Sequence, residues 1–229
     1  MSESHFNGFP EGLQRLNAIG RGDKSEFARQ KAAWDSTIMK PTRELVVYVG
    51  NRLRTAVSPG IEAVPKVNGS ISPITRDLRF ATDKSRPYKD HLMINFWEGE
   101  PKKTAPTMRI RISDSDVGFA AGSAFDADGL TRWRKALRGA PGKDLAEILA
   151  TAQRKGSGLS FIDPDLKRLP AGLEPAAPAL EPLLRSKTFQ VRFIDPTPKS
   201  VRSSAFADWA AERLLRLGTV HRWLLEHTR

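Results

Sequence analysis

Between Ile74 and Leu92 the chain reads ITRDLRFATDKSRPYKDHL, which sets Arg76, Asp77, Arg79, Asp83, Lys84, Tyr88, Lys89 and His91 in one short stretch. Two kinds of chemistry suit such a set. Guanidinium forks and ammonium groups meet carboxylate or phosphate oxygens, so the cations here would hold a small anionic or phosphorylated ligand, with Tyr88 adding a hydroxyl or a stacking face. Alternatively, Asp77 or Asp83 serves as a general base and His91 as acid or base, with the cations stabilising developing negative charge, the equipment of a hydrolase or transferase. The same charges can also do no chemistry. Asp77 with Arg79, and Asp83 with Lys84 or Lys89, would then be ion pairs that brace a connection, and His91 a structural residue.

Several other chemistries find no residues to carry them. The chain has no cysteine, which removes disulfides, thiolate nucleophiles and Cys-built zinc sites. His5, His91, His221 and His227 show no spacing that sets two imidazoles on one metal, so no metal or cofactor is called for. No glycine-rich loop leads into Lys and Ser or Thr, and no Ser sits in a nucleophile elbow.

The balance of charge is basic, with a formal net charge of +11 and an isoelectric point near 10.2. Such a potential favours encounter with polyanions, which keeps a nucleic-acid accessory protein among the readings. Trp34, Trp97, Trp133, Trp209 and Trp223 could stack bases in that case, but their places on apolar stripes favour core packing. No apolar run reaches the roughly 20 residues that span a bilayer, and MSESHFNGFPEGL lacks the regions of a secretion signal. A cytoplasmic location with no membrane partner is the expectation.

The elements that must position these residues follow from periodicity. Phe27, Trp34, Ile38, Leu45, Val49 and Leu53 recur at helical spacing from Ser25 to about Val57, with Asp23 or Ser25 as cap and a kink or junction near Lys40, because Pro41 lacks a backbone donor. HLMINFW, TMRIRIS, VGFAAGSAF and KTFQVRFI read as strands, and Asn68-Gly69 as a turn. Ile74 to Phe80 reads as a further strand, with Asp77 and Arg79 on one face. Leu130, Trp133 and Leu137 mark a helix capped by Asp126 or Asp128 and ended by Gly139; Leu145, Ile148, Leu149 and Ala152 mark the next. Four prolines in LPAGLEPAAPALEP forbid a long helix, and Phe206, Trp209, Leu214 and Leu217 begin the closing helices, with a break at Gly218.

Helices, then strands, then helices make an α+β order, an antiparallel sheet packed with N-terminal, middle and C-terminal helices. One domain over 1–229 is expected, with helices at about 10–57, sheet and helices at about 61–195, and helices at about 203–228. In such a sheet one face lies under the helices, and Arg109, Arg111 and Arg192 fall on the other or line a groove in it.

With the segments placed, the chain resembles the uncharacterised family called domain of unknown function 2461. TRDLRFATDKSRPYKDHLMINFWEG carries the likeness, supported by VGFAAGSAFDADGLTRWRKAL, LKRLPAGL, LLRSKTF and FADWAAERLLRLGTVHRWLLEH. The resemblance implies a fold and a signature rather than an activity. It also implies a place for Arg134, which matches the family's helix arginine by position and joins the candidate ligand-binding residues.

Overall fold

The computed structural model describes residues 6–22, 24–79, 82–154 and 158–229. Asp23 and Phe80, named above as a cap and a strand residue, lie outside them. The first helix, α1 (Phe9–Arg21), takes Pro10 in its first turn, where a missing donor costs nothing, and buries Phe9, Leu13, Leu16 and Ile19 along one face. Helix α2 (Lys24–Trp34) has no buried residue, and α3 (Lys40–Ala56) buries Leu45, Val46, Val49 and Leu53.

The expected break near Lys40 takes a particular form. A π turn at Asp35–Met39 joins α2 to α3 and leaves Pro41 in the first turn of α3. The backbone stays helical through the junction, as π bulges allow.

Five strands follow: β1 (Leu92–Trp97), β2 (Thr107–Ile112), β3 (Asp116–Ala124), the two-residue β4 (Ser160–Phe161) and β5 (Thr188–Pro196). They form one antiparallel sheet in the order β1-β2-β3-β5-β4. Period-2 alternation sends Leu92, Ile94, Phe96, Met108, Ile110, Ile112, Val117, Phe119, Phe189, Val191 and Phe193 to one buried face. The turn at Asn68 is present, with φ 64° there, and the stretch around it lies against the edge of β1. Glu62 N–H donates to Trp97, Ser72 N–H to Met93 and Asn95 N–H to Ser70, so that edge is not left bare.

Helices α4 (Ala127–Arg138) and α5 (Ala140–Arg154) follow the third strand, and the Asp126 carboxylate caps α4 by accepting from Gly129 N–H at 2.8 Å. The proline-rich crossing contains only a 3₁₀ turn (Pro178–Leu180) and the four-residue α6 (Glu181–Leu184). Helices α7 (Ala205–Leu215) and α8 (Gly218–Thr228) close the chain and lay Phe206, Leu214, Val220, Trp223 and Leu224 into the core. Trp133 is the hub of that end. It stacks on Phe125 at 4.9 Å, meets Phe189 and Trp223, and donates its indole N–H to Leu183 O at 3.1 Å.

One expected element is corrected. Ile74 to Arg79 is not a strand: a single bridge joins Thr75 to Tyr88, closed by Arg76 N–H to Pro87 O and Lys89 N–H to Ile74 O. The described residues between these bonds belong to no strand or helix. Asp77 and Asp83 explain why, since each carboxylate accepts from the backbone N–H two residues on, that of Arg79 at 3.1 Å and of Ser85 at 2.8 Å. Such local bonds offer the backbone an alternative to a ladder.

Candidate functional site

Within that loop most of the charged groups have local partners. Arg79 grips Asp77 through Nε at 2.9 Å and Nη2 at 2.6 Å, on an exposed surface. Those bonds hold the Asp77 carboxyl below its ordinary value, and the Ser85 hydroxyl and N–H do the same for Asp83. A carboxylate held ionised by several donors is a weak general base. Arg76 donates to Arg86 O at 3.1 Å, and Lys84 is exposed. His91 Nδ1 lies 2.7 Å from Asp90 Oδ1, the next residue back, so its nearest carboxylate is neither Asp77 nor Asp83. That hydrogen bond lowers the Asp90 carboxyl against the opposing effect of burial.

Tyr88 and Lys89 anchor the loop to the body. The Tyr88 ring packs on Phe27 of α2 with centroids 5.0 Å apart. Lys89 Nζ donates to Pro73 O at 2.7 Å, and partial burial lowers its pKa. Arg134 stands elsewhere, half-buried on α4, its Nε without a hydrogen-bond partner among the described residues.

One set of side chains converges on a concave surface on the open face of the sheet. The register sets Asn95, Arg109, Ala120, Arg192 and Ser160 side by side across all five strands. Adjacent strands lie about 4.8 Å apart, so Arg109 and Arg192 flank Ala120 with backbones separated by about 10 Å. The next row reads Met93, Arg111, Gly118, Ile194. Two hollows share Arg109 in their lining. One, of about 130 Å³, lies over Gly118 and Ala120; the other, of about 480 Å³, is bounded by Ser72, Asn95, Lys102 and Lys103.

The three arginines differ in how they are neutralised. Arg111 pairs with Asp116. Arg192 is exposed and, among the described residues, its side chain reaches only Ser160 Oγ, at 3.4 Å. Arg109 is largely withdrawn from water and donates Nη1 to Gln190 Oε1 at 3.0 Å, while its Nε has no hydrogen-bond partner among the described residues. Burial pushes its guanidinium below the ordinary value, with no compensating anion among the described residues. Lys102, over the Trp97 ring at 4.0 Å and donating to Asn68 O at 3.2 Å, is likewise lowered by burial.

Sequence reading set these arginines opposite the helices but not among the candidate ligand-binding residues. The alternation in TMRIRIS and KTFQVRFI was the available signal. The row was not, because register lies between strands. Among the described residues no group of three or more His, Asp or Glu side chains is placed to hold a metal ion, and no helix is long and apolar enough to cross a membrane.

An antiparallel sheet with helices packed on one face and Arg109, Arg111 and Arg192 on the other defines an α+β protein. The family described as conserved hypothetical protein, DUF2461, matches residues 13–223, and the chain belongs to it. No curated protein and no solved structure matches.

Proposed function

We propose that this protein binds a small anion on the open face of its sheet, with Arg109 and Arg192 as paired anchors. One observation carries the reading: Arg109 and Arg192 flank Ala120 in a single cross-strand row, and neither has a carboxylate partner among the described residues. A partly desolvated cation with no counter-charge is a site of high positive potential, and an anion entering it gains more there than in water. Lys102 and Lys103 extend the potential along the larger hollow, and Asn95 and Ser72 supply neutral polar groups. The Arg76 to His91 loop would stand beside this site, joined to its wall by the Lys89 to Pro73 bond. The hydrolase or transferase reading gains no support from carboxylates already engaged by Arg79 and Ser85.

The test is a melting series at fixed ionic strength, with phosphate, sulfate or citrate replacing chloride. A saturable rise in Tm is expected, lost in the Arg109→Gln, Arg192→Gln double variant. No rise with any anion overturns the reading. In Arg79→Ala, Lys84→Ala the rise should persist; its loss there would move the ligand to the loop. Retention of a single-stranded oligonucleotide that falls steeply with salt would turn the assignment to nucleic acid.

A further inference from the structure

We infer that the ligand is an amphipathic organic anion, whose acidic group lies in the Arg109 row and whose apolar body lies over Gly118, between Met93 and Ile194; this rests on the anion site proposed above. The two neighbouring rows differ in character. Asn95, Arg109, Ala120, Arg192 and Ser160 are polar but for the alanine, with two cations unneutralised by carboxylates among the described residues. The Met93, Arg111, Gly118, Ile194 row holds one charge, already paired with Asp116. Its remaining side chains are apolar.

Ile194 is 60% exposed, the most exposed of the large apolar side chains described, and it borders the hollow rather than standing alone. Gly118 and Ala120 form a floor without bulk, which lets a ring or branched chain lie flat on the backbone. The hollow above them, at about 130 Å³, is close to the roughly 150 Å³ apolar cavity that admits benzene. A free inorganic anion would satisfy the arginines and leave Met93, Gly118 and Ile194 without a role. An aryl or branched alkyl phosphate, phosphonate or carboxylate uses both rows.

A side chain at position 118 can test this without forcing the sheet apart. A Cβ added there would meet Arg111 Cβ at 3.6 Å and Ile194 Cγ1 at 3.7 Å, ordinary contacts, and its φ does not require glycine. Gly118→Val therefore fills the floor while suiting a strand. The experiment is calorimetric titration with methylphosphonate and phenylphosphonate, matched in the acidic group and different in the body. Phenylphosphonate is expected to bind at least about tenfold more tightly, the gain for burying part of a ring. Gly118→Val and Ile194→Ser should bring it down to the methylphosphonate level and leave methylphosphonate unchanged.

Equal affinity of the two probes for the natural protein overturns this inference and leaves the anion site standing. Binding of neither probe overturns the anion site itself. A preference for phenylphosphonate that survives both substitutions overturns the placement of the apolar body on this row.

Discussion

Arg109 should make the free protein less stable than it would be without it. The guanidinium is largely buried and, among the described residues, keeps one hydrogen bond to Gln190 and has an unpartnered Nε. A hydrogen bond to a charged group contributes about 1.5–3 kcal/mol, whereas burying an uncompensated ion costs several kcal/mol. Arg109→Met keeps much of the apolar stem and removes the charge, so in ligand-free buffer it should raise stability by about 1 kcal/mol. For 229 residues at about 2.1 cal/mol/K each, the unfolding entropy is about 0.48 kcal/mol/K, and the shift corresponds to about 2 °C in Tm. Saturating anion acts oppositely: at about 100 times Kd it stabilises the natural protein by about 2.7 kcal/mol, or about 5–6 °C, and the variant not at all. The melting curves should therefore change order. Scanning calorimetry of both proteins, with and without phosphate at matched ionic strength, checks this. A variant that is less stable by 1 kcal/mol or more without anion, or one that keeps the anion response, would refute the reasoning.

Three further outcomes follow from other parts of the molecule. Trp133→Ala should lower the unfolding free energy by about 3–5 kcal/mol in urea, because it empties the space among Phe125, Phe189 and Trp223 and strands the Leu183 carbonyl. Asp77→Asn with Arg79→Ala should leave Tm within experimental error, since the pair is fully exposed and screened; a clear drop would show that the loop braces more than its geometry indicates. His221 lies fully buried, with Nε2 3.4 Å from Glu98 Oε2 and Nδ1 unpartnered among the described residues; burial lowers its pKa from 6.5, outweighing the opposing pull of Glu98 and aided slightly by Arg222. The unfolded chain then binds the proton more readily. Stability from this group is complete above about pH 6.5 and is lost as the pH falls below it, so urea unfolding from pH 8 to 5 should show a gentler decline in His221→Gln; an unchanged or steeper decline would contradict the assignment.

The sequence was informative where physics is local. Helical spacing placed Leu45, Val49 and Leu53 on the buried face of α3, and a cap at Asp126 or Asp128 and the closing Gly139 were legible from residue type and position, with the structure choosing Asp126. Alternation gave three of the five strands and the glycine-rich VGFAAGSAF a fourth; β4, two residues long, is too short to have a period. At Ile74 to Arg79 the same alternation misled. Asp-x-Arg and Asp-x-Ser were read as charges when they act as acceptors that turn the backbone.

Period 2 alone determines that Arg109 and Arg111 share a face of their strand, and that Arg192 alternates with apolar neighbours. It does not determine which residue stands beside which. Only the pairing of β2, β3 and β5 sets Arg109, Ala120 and Arg192 in one row, and a slip of two residues would keep every face while breaking that row. Long-range packing fixes the register, because Phe119 and Phe193 must stack at 5.2 Å beneath Trp209 on the covered face. The faces were therefore written in the strands, and the site was decided by the core that aligned them.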